Sequence, residues 1–244
     1  MKFLDAEPFR IKVVEPIKKT TRVEREAFIH EADFNVFKLR AEEVYIDMLT
    51  DSGTSAMSSA QWAGVMVGDE SYAGSKSFFN LRKSVQDIMG FPFVQPTHQG
   101  RAADFIMSQL YAKNGGYILG NLHFDSFKGH AEIAGSLPVD MIIEEGRTAN
   151  SNPHPFKGNM DIKKLEHFIA EHGASQIPLI IITVTSNGNG GQPVSMENIR
   201  KVSAIAKAHG IPLMIDAARF AENCYFIKKR ELGYKDKTIH EISL

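Results

Sequence analysis

Pro178-Leu179-Ile180-Ile181-Ile182-Thr183-Val184 runs straight into Thr185-Ser186-Asn187-Gly188-Asn189-Gly190-Gly191-Gln192-Pro193. The first segment is apolar at successive positions and rich in β-branched side chains, as expected of a strand buried on both faces. The second is polar and glycine-rich, a loop at that strand's carboxyl end. Shorter runs of the same character occupy 117–119, 139–143 and 212–215. Helical periodicities lie between them. In 161–172, Leu165, Phe168 and Ile169 recur at i, i+3 and i+4 behind Asp161 as N-cap. In 195–209, Ile199, Val202 and Ile205 follow Ser195, with Gly210 just past the end. The spacing predicts two further helices, 220–231 and 99–113, the latter with Phe105, Ile106 and Leu110 as its apolar face. Strands alternating with helices predict βαβ units, hence an α/β fold of three layers around a mostly parallel sheet.

Outward from this region the chain changes character. Residues 1–44 read as an N-terminal arm with charge runs (Lys18-Lys19, Arg22 to Arg25) and one helix at about 23–32, and residues 45–244 as the α/β domain. The 244 residues carry 28 Lys+Arg against 29 Asp+Glu, a net charge of -1, which argues against a nucleic-acid partner. A single cysteine, Cys224, excludes a disulfide framework and a cysteine-based zinc site. No run approaches the ~20 apolar residues of a membrane span. The opening Met1-Lys2-Phe3-Leu4-Asp5-Ala6-Glu7-Pro8 lacks the apolar stretch of a signal peptide, so a cytoplasmic location is expected.

Several motifs fail on inspection. Gly188-x-Gly190 has Pro193 where a dinucleotide fingerprint needs glycine, and in Gly74-Ser75-Lys76 the serine precedes the lysine of a would-be phosphate loop. His130-x-Glu132 lacks the paired cysteines of a zinc deaminase.

What survives sits at strand and helix ends, where open parallel sheets bind ligands. Gln99-Gly100-Arg101 opens a helix, so free N–H groups, the helix dipole and the Arg101 guanidinium form an anion site. Standing alone, the same residues read equally as a turn with a solvent-facing arginine. Asp216 ends an apolar strand, where a carboxylate is costly unless partnered. A pyridinium nitrogen is one such partner, and Arg219 is another. Asn187 supplies an amide able to bond a ring oxygen. Three such ends converge on one ligand type, a phosphorylated pyridine.

These residues belong to longer segments: Leu49-Thr50-Asp51-Ser52-Gly53-Thr54, Gly68-Asp69-Glu70-Ser71-Tyr72-Ala73-Gly74-Ser75, Pro96-Thr97-His98-Gln99-Gly100-Arg101, Gly190-Gly191-Gln192-Pro193-Val194-Ser195 and Asp216-Ala217-Ala218-Arg219-Phe220-Ala221-Glu222-Asn223. In that order they resemble the β-eliminating lyases, the family of the tryptophanases (tryptophan indole-lyases) and tyrosine phenol-lyases, from about Pro8 to the last residue. The resemblance implies an aspartate-aminotransferase-like (fold type I) enzyme with pyridoxal 5'-phosphate as cofactor and potassium as monovalent cation. It also implies an aromatic amino acid as substrate and a homo-oligomer, dimer or tetramer. By resemblance, Gln99, Gly100 and Arg101 hold the cofactor phosphate, Phe124 stacks on its ring, Asn187 and Arg219 surround its 3'-oxygen, and Asp216 meets its ring nitrogen. Tyr72 is similar to a tyrosine that reaches a neighbouring subunit's site as proton donor to the leaving group. Thr50, Ser52 and Phe37 resemble substrate-site residues, and Gly53 and Glu70 part of the cation site.

Within the family, Phe124-Asp125-Ser126 is similar to the tryptophan-cleaving branch, and a carboxylate at Asp125 has a rationale in accepting an indole N–H. Ala60-Gln61-Trp62-Ala63-Gly64 and the short link 111–116 look like the phenol-lyases. The expected reaction is cleavage of L-tryptophan to indole, pyruvate and ammonium, with the phenol-lyase reaction as the alternative. One departure matters. The family's cofactor-bearing lysine lies in a Ser-x-x-Lys-Lys-like run beyond the segment matching 225–244, and nothing of that kind occurs here. Lys228-Lys229 reads instead as a solvated helix face. The rest of the large domain and the small C-terminal domain are likewise unmatched. The expectation is an incomplete large domain that is inactive by itself and exposes apolar surface, with a non-catalytic truncated remnant as a further alternative to the lyase reading.

Overall fold

The computed structural model describes residues 17–47, 57–148 and 153–244, and the chain divides into two compact units, Met1–Ser77 and Phe78–Leu244. In the first unit, α1 (Arg22–Glu31) starts at Thr21. The Thr21 N–H donates to the Glu24 carboxylate at 2.7 Å while its Oγ accepts the Glu24 N–H, so two of the free donors at a helix start are satisfied. Ser58 and Gln61 open α2 (Ser59–Met66) in the same reciprocal way. No residue of either helix is buried. The start of α3 (Lys76–Met89) is set by Asp69, whose carboxylate accepts the N–H groups of Lys76 and Ser77 at 2.8 and 2.9 Å.

The second unit carries α4 (Gly100–Tyr111), β1 (Tyr117–Gly120), α5 (Asp125–Ala134), β2 (Leu137–Asp140), α6 (Glu144–Arg147), α7 (Ile162–His172), β3 (Leu179–Thr183), α8 (Met196–Ala208), β4 (Leu213–Asp216), α9 (Phe220–Arg230) and α10 (Ile239–Ser243). The strands form one sheet in the order β2-β1-β3-β4, every pair parallel, with Ile118 opposite Leu179 and Ile182 opposite Ile215. Alternation along the strands feeds two cores. Leu119, Ile180 and Ile182 meet Leu165 and Ile169 of α7 and Val202 and Ala206 of α8. Ile118, Leu179 and Ile181 point the other way, to Phe127 and Ala131 of α5 and Met107 and Tyr111 of α4. With β3 buried along its whole length, this is the three-layer α/β sheet expected from the sequence. Cys224 and Ile227 of α9 and Ile242 of α10 close a third cluster with Phe156.

The caps expected at Asp161 and Ser195 are in place, accepting the N–H groups of Lys164 and Asn198, and Gly210 adopts the left-handed conformation (φ 66°) past α8. Two expectations need correction. The segment expected as strand 139–143 is strand only over Leu137–Asp140: β2 is an edge, where Pro138 is tolerated, and Ile142 leaves the sheet to bridge Met160. In α4, Phe105, Ile106 and Leu110 are not the inward face; each is about half exposed or more. The helix turns Met107, Ser108 and Tyr111 inward instead, where Met107 and Tyr111 pack with Phe127 and Ala131 of α5. Among the described residues, no helix is long and apolar enough to cross a membrane.

Candidate functional site

Directly after β1, the Asn121 side chain is fully buried. Its amide donates to the carbonyls of Gly158 (2.8 Å) and Thr183 (3.1 Å), and its oxygen accepts the Thr183 N–H (2.9 Å). This pins the loop leaving β1 to the end of β3. Leu122 then lies against Gly188, so closely that a Cβ there would stand 2.6 Å from Leu122 Cδ2. The turn that carries Asn187 therefore abuts the loop that carries Phe124. On the other flank of β3, the Val184 N–H donates to the Asp216 carbonyl (2.9 Å) and the Arg219 N–H to the Val184 carbonyl (3.1 Å). Phe124, Asn187, Asp216 and Arg219 thus follow the carboxyl ends of three neighbouring strands. The start of α4 is joined to the same edge, because Ser126 Oγ donates to Asp104 Oδ2 at 2.5 Å.

Asp216 is the most chemically marked of these groups. Burial raises its pKa and nearby Asp104 raises it further, while the Ala218 N–H (3.2 Å) and Arg219 act in the opposite sense. A carboxylate so placed gains from a cation set against it, as a protonated pyridine nitrogen would be. At α4, Gln99 is the N-cap without a side-chain cap bond, and among the described residues nothing beyond its own neighbours and helix backbone lies within 4 Å of where a Gly100 Cβ would sit. The helix start is open to an anion, with Arg101 exposed beside it. The residues present fit a phosphorylated pyridine.

The remaining expected positions are placed as follows. Phe124 is the N-cap of α5 and half-buried, and Asp125, the helix's first residue, is exposed. Phe37 (85% exposed), Glu70 and Tyr72 (fully exposed) belong to the first unit. Glu70 and Tyr72 lie on a loop organised by Asp69, which accepts the hydroxyls of Ser71 and Ser75 at 3.0 and 2.9 Å in addition to the start of α3. Those bonds hold the Asp69 carboxyl far below the usual carboxylate range, the Ser77 and Ser75 contacts foremost. Thr50, Ser52 and Gly53 lie outside the described residues. An apolar cleft of about 640 Å³, lined among others by Met107, Tyr111, Leu213 and Ile215, holds none of the expected cofactor residues.

Asn121, His123, Asp140, Asp104 and Ser126 were not among the site residues expected from the sequence. A signal for two of them was available: Asn121 and Asp140, like Asp216, are the polar residues that end or directly follow an apolar run.

The comparisons bear on the whole arrangement. The family model for beta-eliminating lyases matches residues 47–242. A tyrosine phenol-lyase of Pasteurella multocida is 52% identical over 99% of this chain and 53% of its own length. A tryptophanase of Hyphomonas neptunium is 53% identical over 97% of this chain and 52% of its own. The chain spans about half the length of the curated relatives it matches. Among solved structures, a chain of the SepCysS-SepCysE N-terminal domain complex aligns with TM-score 0.51 at 20% identity, covering 69% of this chain and 45% of that one. That likeness concerns the fold, which is the fold type I architecture expected.

Proposed function

The chain belongs to the beta-eliminating lyase family, and from that premise we propose that the whole protein cleaves L-tryptophan to indole, pyruvate and ammonium with pyridoxal 5'-phosphate as cofactor. The observation that carries the cofactor reading is Asp216, a partly buried carboxylate of raised pKa at the end of β4, on the same sheet edge as Phe124 and Asn187. When bound, the cofactor supplies an electron sink for the bonds at the substrate's α-carbon. Each residue of this chain has a share. The N–H groups at Gly100 and Arg101, with the Arg101 guanidinium and Gln99, hold the phosphate. Phe124 stacks on the ring, Asp216 keeps the ring nitrogen protonated, and Asn187 and Arg219 bond the ring oxygen. Asp125 accepts the indole N–H, which selects tryptophan. Tyr72 passes a proton to the departing ring carbon. Phe37, Thr50 and Ser52 line the substrate, and Gly53 and Glu70 hold potassium where subunits of a homo-oligomer meet. The setting is cytoplasmic.

The phenol-lyase reading stays beside it because relatives of both names stand at 52 and 53% identity. The test gives the whole protein pyridoxal phosphate, potassium and either L-tryptophan or L-tyrosine. Indole release exceeding phenol release supports the proposal, and predominant phenol replaces it with the second reading. The 244-residue chain by itself is expected to release neither, since the cofactor-bearing lysine of the family has no match in it.

A further inference from the structure

Asp140, the last residue of β2, grips the chain at three points, two on His123 before α5 and one on Lys128 within it. Its Oδ1 accepts the backbone N–H of His123 at 2.9 Å and the ring Nδ1–H of His123 at 2.7 Å, and Lys128 Nζ stands 3.4 Å from its Oδ2. Burial opposes ionisation, but the bonds and charge of His123 and then the charge of Lys128 outweigh it and bring Asp140 down to about 2. An ionised carboxylate only accepts, which fixes the proton on Nδ1.

His123 and Lys128 bracket Phe124. One precedes the N-cap; the other lies one turn on, and its N–H closes the first turn of α5 on the Phe124 carbonyl at 3.0 Å. Phenylalanine is a poor N-cap, having no side-chain oxygen for the free donors of the first turn. The His123 side chain is fully buried, lies so close over Gly120 that a Cβ there would be 2.8 Å from its Cε1, and runs nearly parallel to Phe127 (16°). Its Nε2 is buried without a hydrogen-bond partner among the described residues. Asp140 is therefore the ring's one polar anchor among the described residues, and a buried nitrogen left unpaired is tolerated in exchange for a fixed orientation.

We propose that Asp140, His123 and Lys128 form a positioning brace that fixes Phe124 for stacking on the cofactor ring. None of the three touches the cofactor. The proposal rests on the reading of Phe124 above and adds what holds that ring in place.

The experiment measures binding of pyridoxal 5'-phosphate to the whole protein, by titration and by the induced circular dichroism of the bound cofactor. Asp140→Ala and His123→Leu are expected to raise the dissociation constant at least about tenfold, the scale of a lost bond to a charged group, and to shrink the induced signal. His123→Asn, whose amide N–H can reach the same carboxylate, should recover most of both. Combined with Phe124→Leu, His123→Leu should add little further loss, as expected of residues acting through one another. Lys128→Met, on the exposed flank and safe for folding, should weaken binding about two- to threefold. Wild-type affinity and dichroism in Asp140→Ala, His123→Leu and Lys128→Met, with Phe124→Leu impaired, overturns the brace and leaves the cofactor reading standing. An Asn variant no better than the Leu variant also overturns it. Unchanged binding in Phe124→Leu removes the role of Phe124, and the brace with it.

Discussion

In Phe78–Leu244 the sheet is held from within, whereas in Met1–Ser77 neither α1 nor α2 buries a residue and their starts are fixed by reciprocal caps a few residues long. The candidate residues follow suit. Phe124, Asn187 and Asp216 ride on strand ends whose positions cannot change without disturbing a close-packed core. Phe37, Glu70 and Tyr72 stand exposed on elements shaped by their own local bonds. The contrast implies that substitutions in the second unit trade stability and binding together, while those in the first separate them.

The strongest attack on that contrast is Asn121→Leu. It leaves the Thr183 N–H and the Thr183 and Gly158 carbonyls without a partner in a buried setting. At about 1–3 kcal/mol per orphaned group, a loss of roughly 3–5 kcal/mol is expected in denaturant unfolding of the second unit. A loss below about 1 kcal/mol would mean the strand ends are not pinned as described.

Asp140 gives a smaller effect with a pH signature. Its carboxyl titrates at about 2 in the fold against 3.8 ordinarily, so its contribution is present above about pH 4 and disappears as pH falls through 2. Discounted for partial exposure, it amounts to on the order of 1–2 kcal/mol. Stability curves of wild type and Asp140→Asn should lie apart at neutral pH and converge in acid. Parallel curves would remove the ionised bond as the cause.

In the first unit, Asp69→Ala should act only locally. Amide exchange at Lys76 and Ser77 is expected to quicken while protection of β1 and β3 is unchanged. Loss of protection in the sheet would erase the distinction between the units.

The least stability change is expected of Tyr72→Phe: within about 0.5 kcal/mol, as for an exposed side chain. Lyase turnover of the whole protein should nonetheless fall by about 10²-fold or more, the usual share of a proton donor. A stability loss without a turnover loss would reverse the reading of that tyrosine.

The sheet was legible because 178–184 could be nothing but a strand buried on both faces, and because Asp161 and Ser195 cap helices whose apolar residues recur on schedule. Asp216 was legible as a carboxylate stranded at a strand end. The α4 face was not, since Phe105, Ile106 and Leu110 recur at the same helical spacing as Met107 and Tyr111, and only the packing against α5 decides which set turns inward. The pairs His123–Asp140 and Ser126–Asp104 were not legible either, because each depends on strand register and helix rotation rather than on local spacing. The positions in the first unit were available only through resemblance, as their own surroundings do not distinguish them from any exposed aromatic or acid.

Cys224, the chain's one cysteine, is buried in α9 against Ile227 and Ile242, and burial pushes its thiol pKa up. A thiol so placed reacts slowly with alkylating reagents, and opening of the corner between α9 and α10 is expected to quicken it. Its labelling rate under native conditions is therefore a clock for that opening, readable without any introduced probe. Because α9 begins immediately after Arg219, a ligand drawn to Asp216 and Arg219 is expected to steady the start of that helix and slow the opening. Site occupancy could then be followed as a slowing of thiol chemistry, in the absence of turnover.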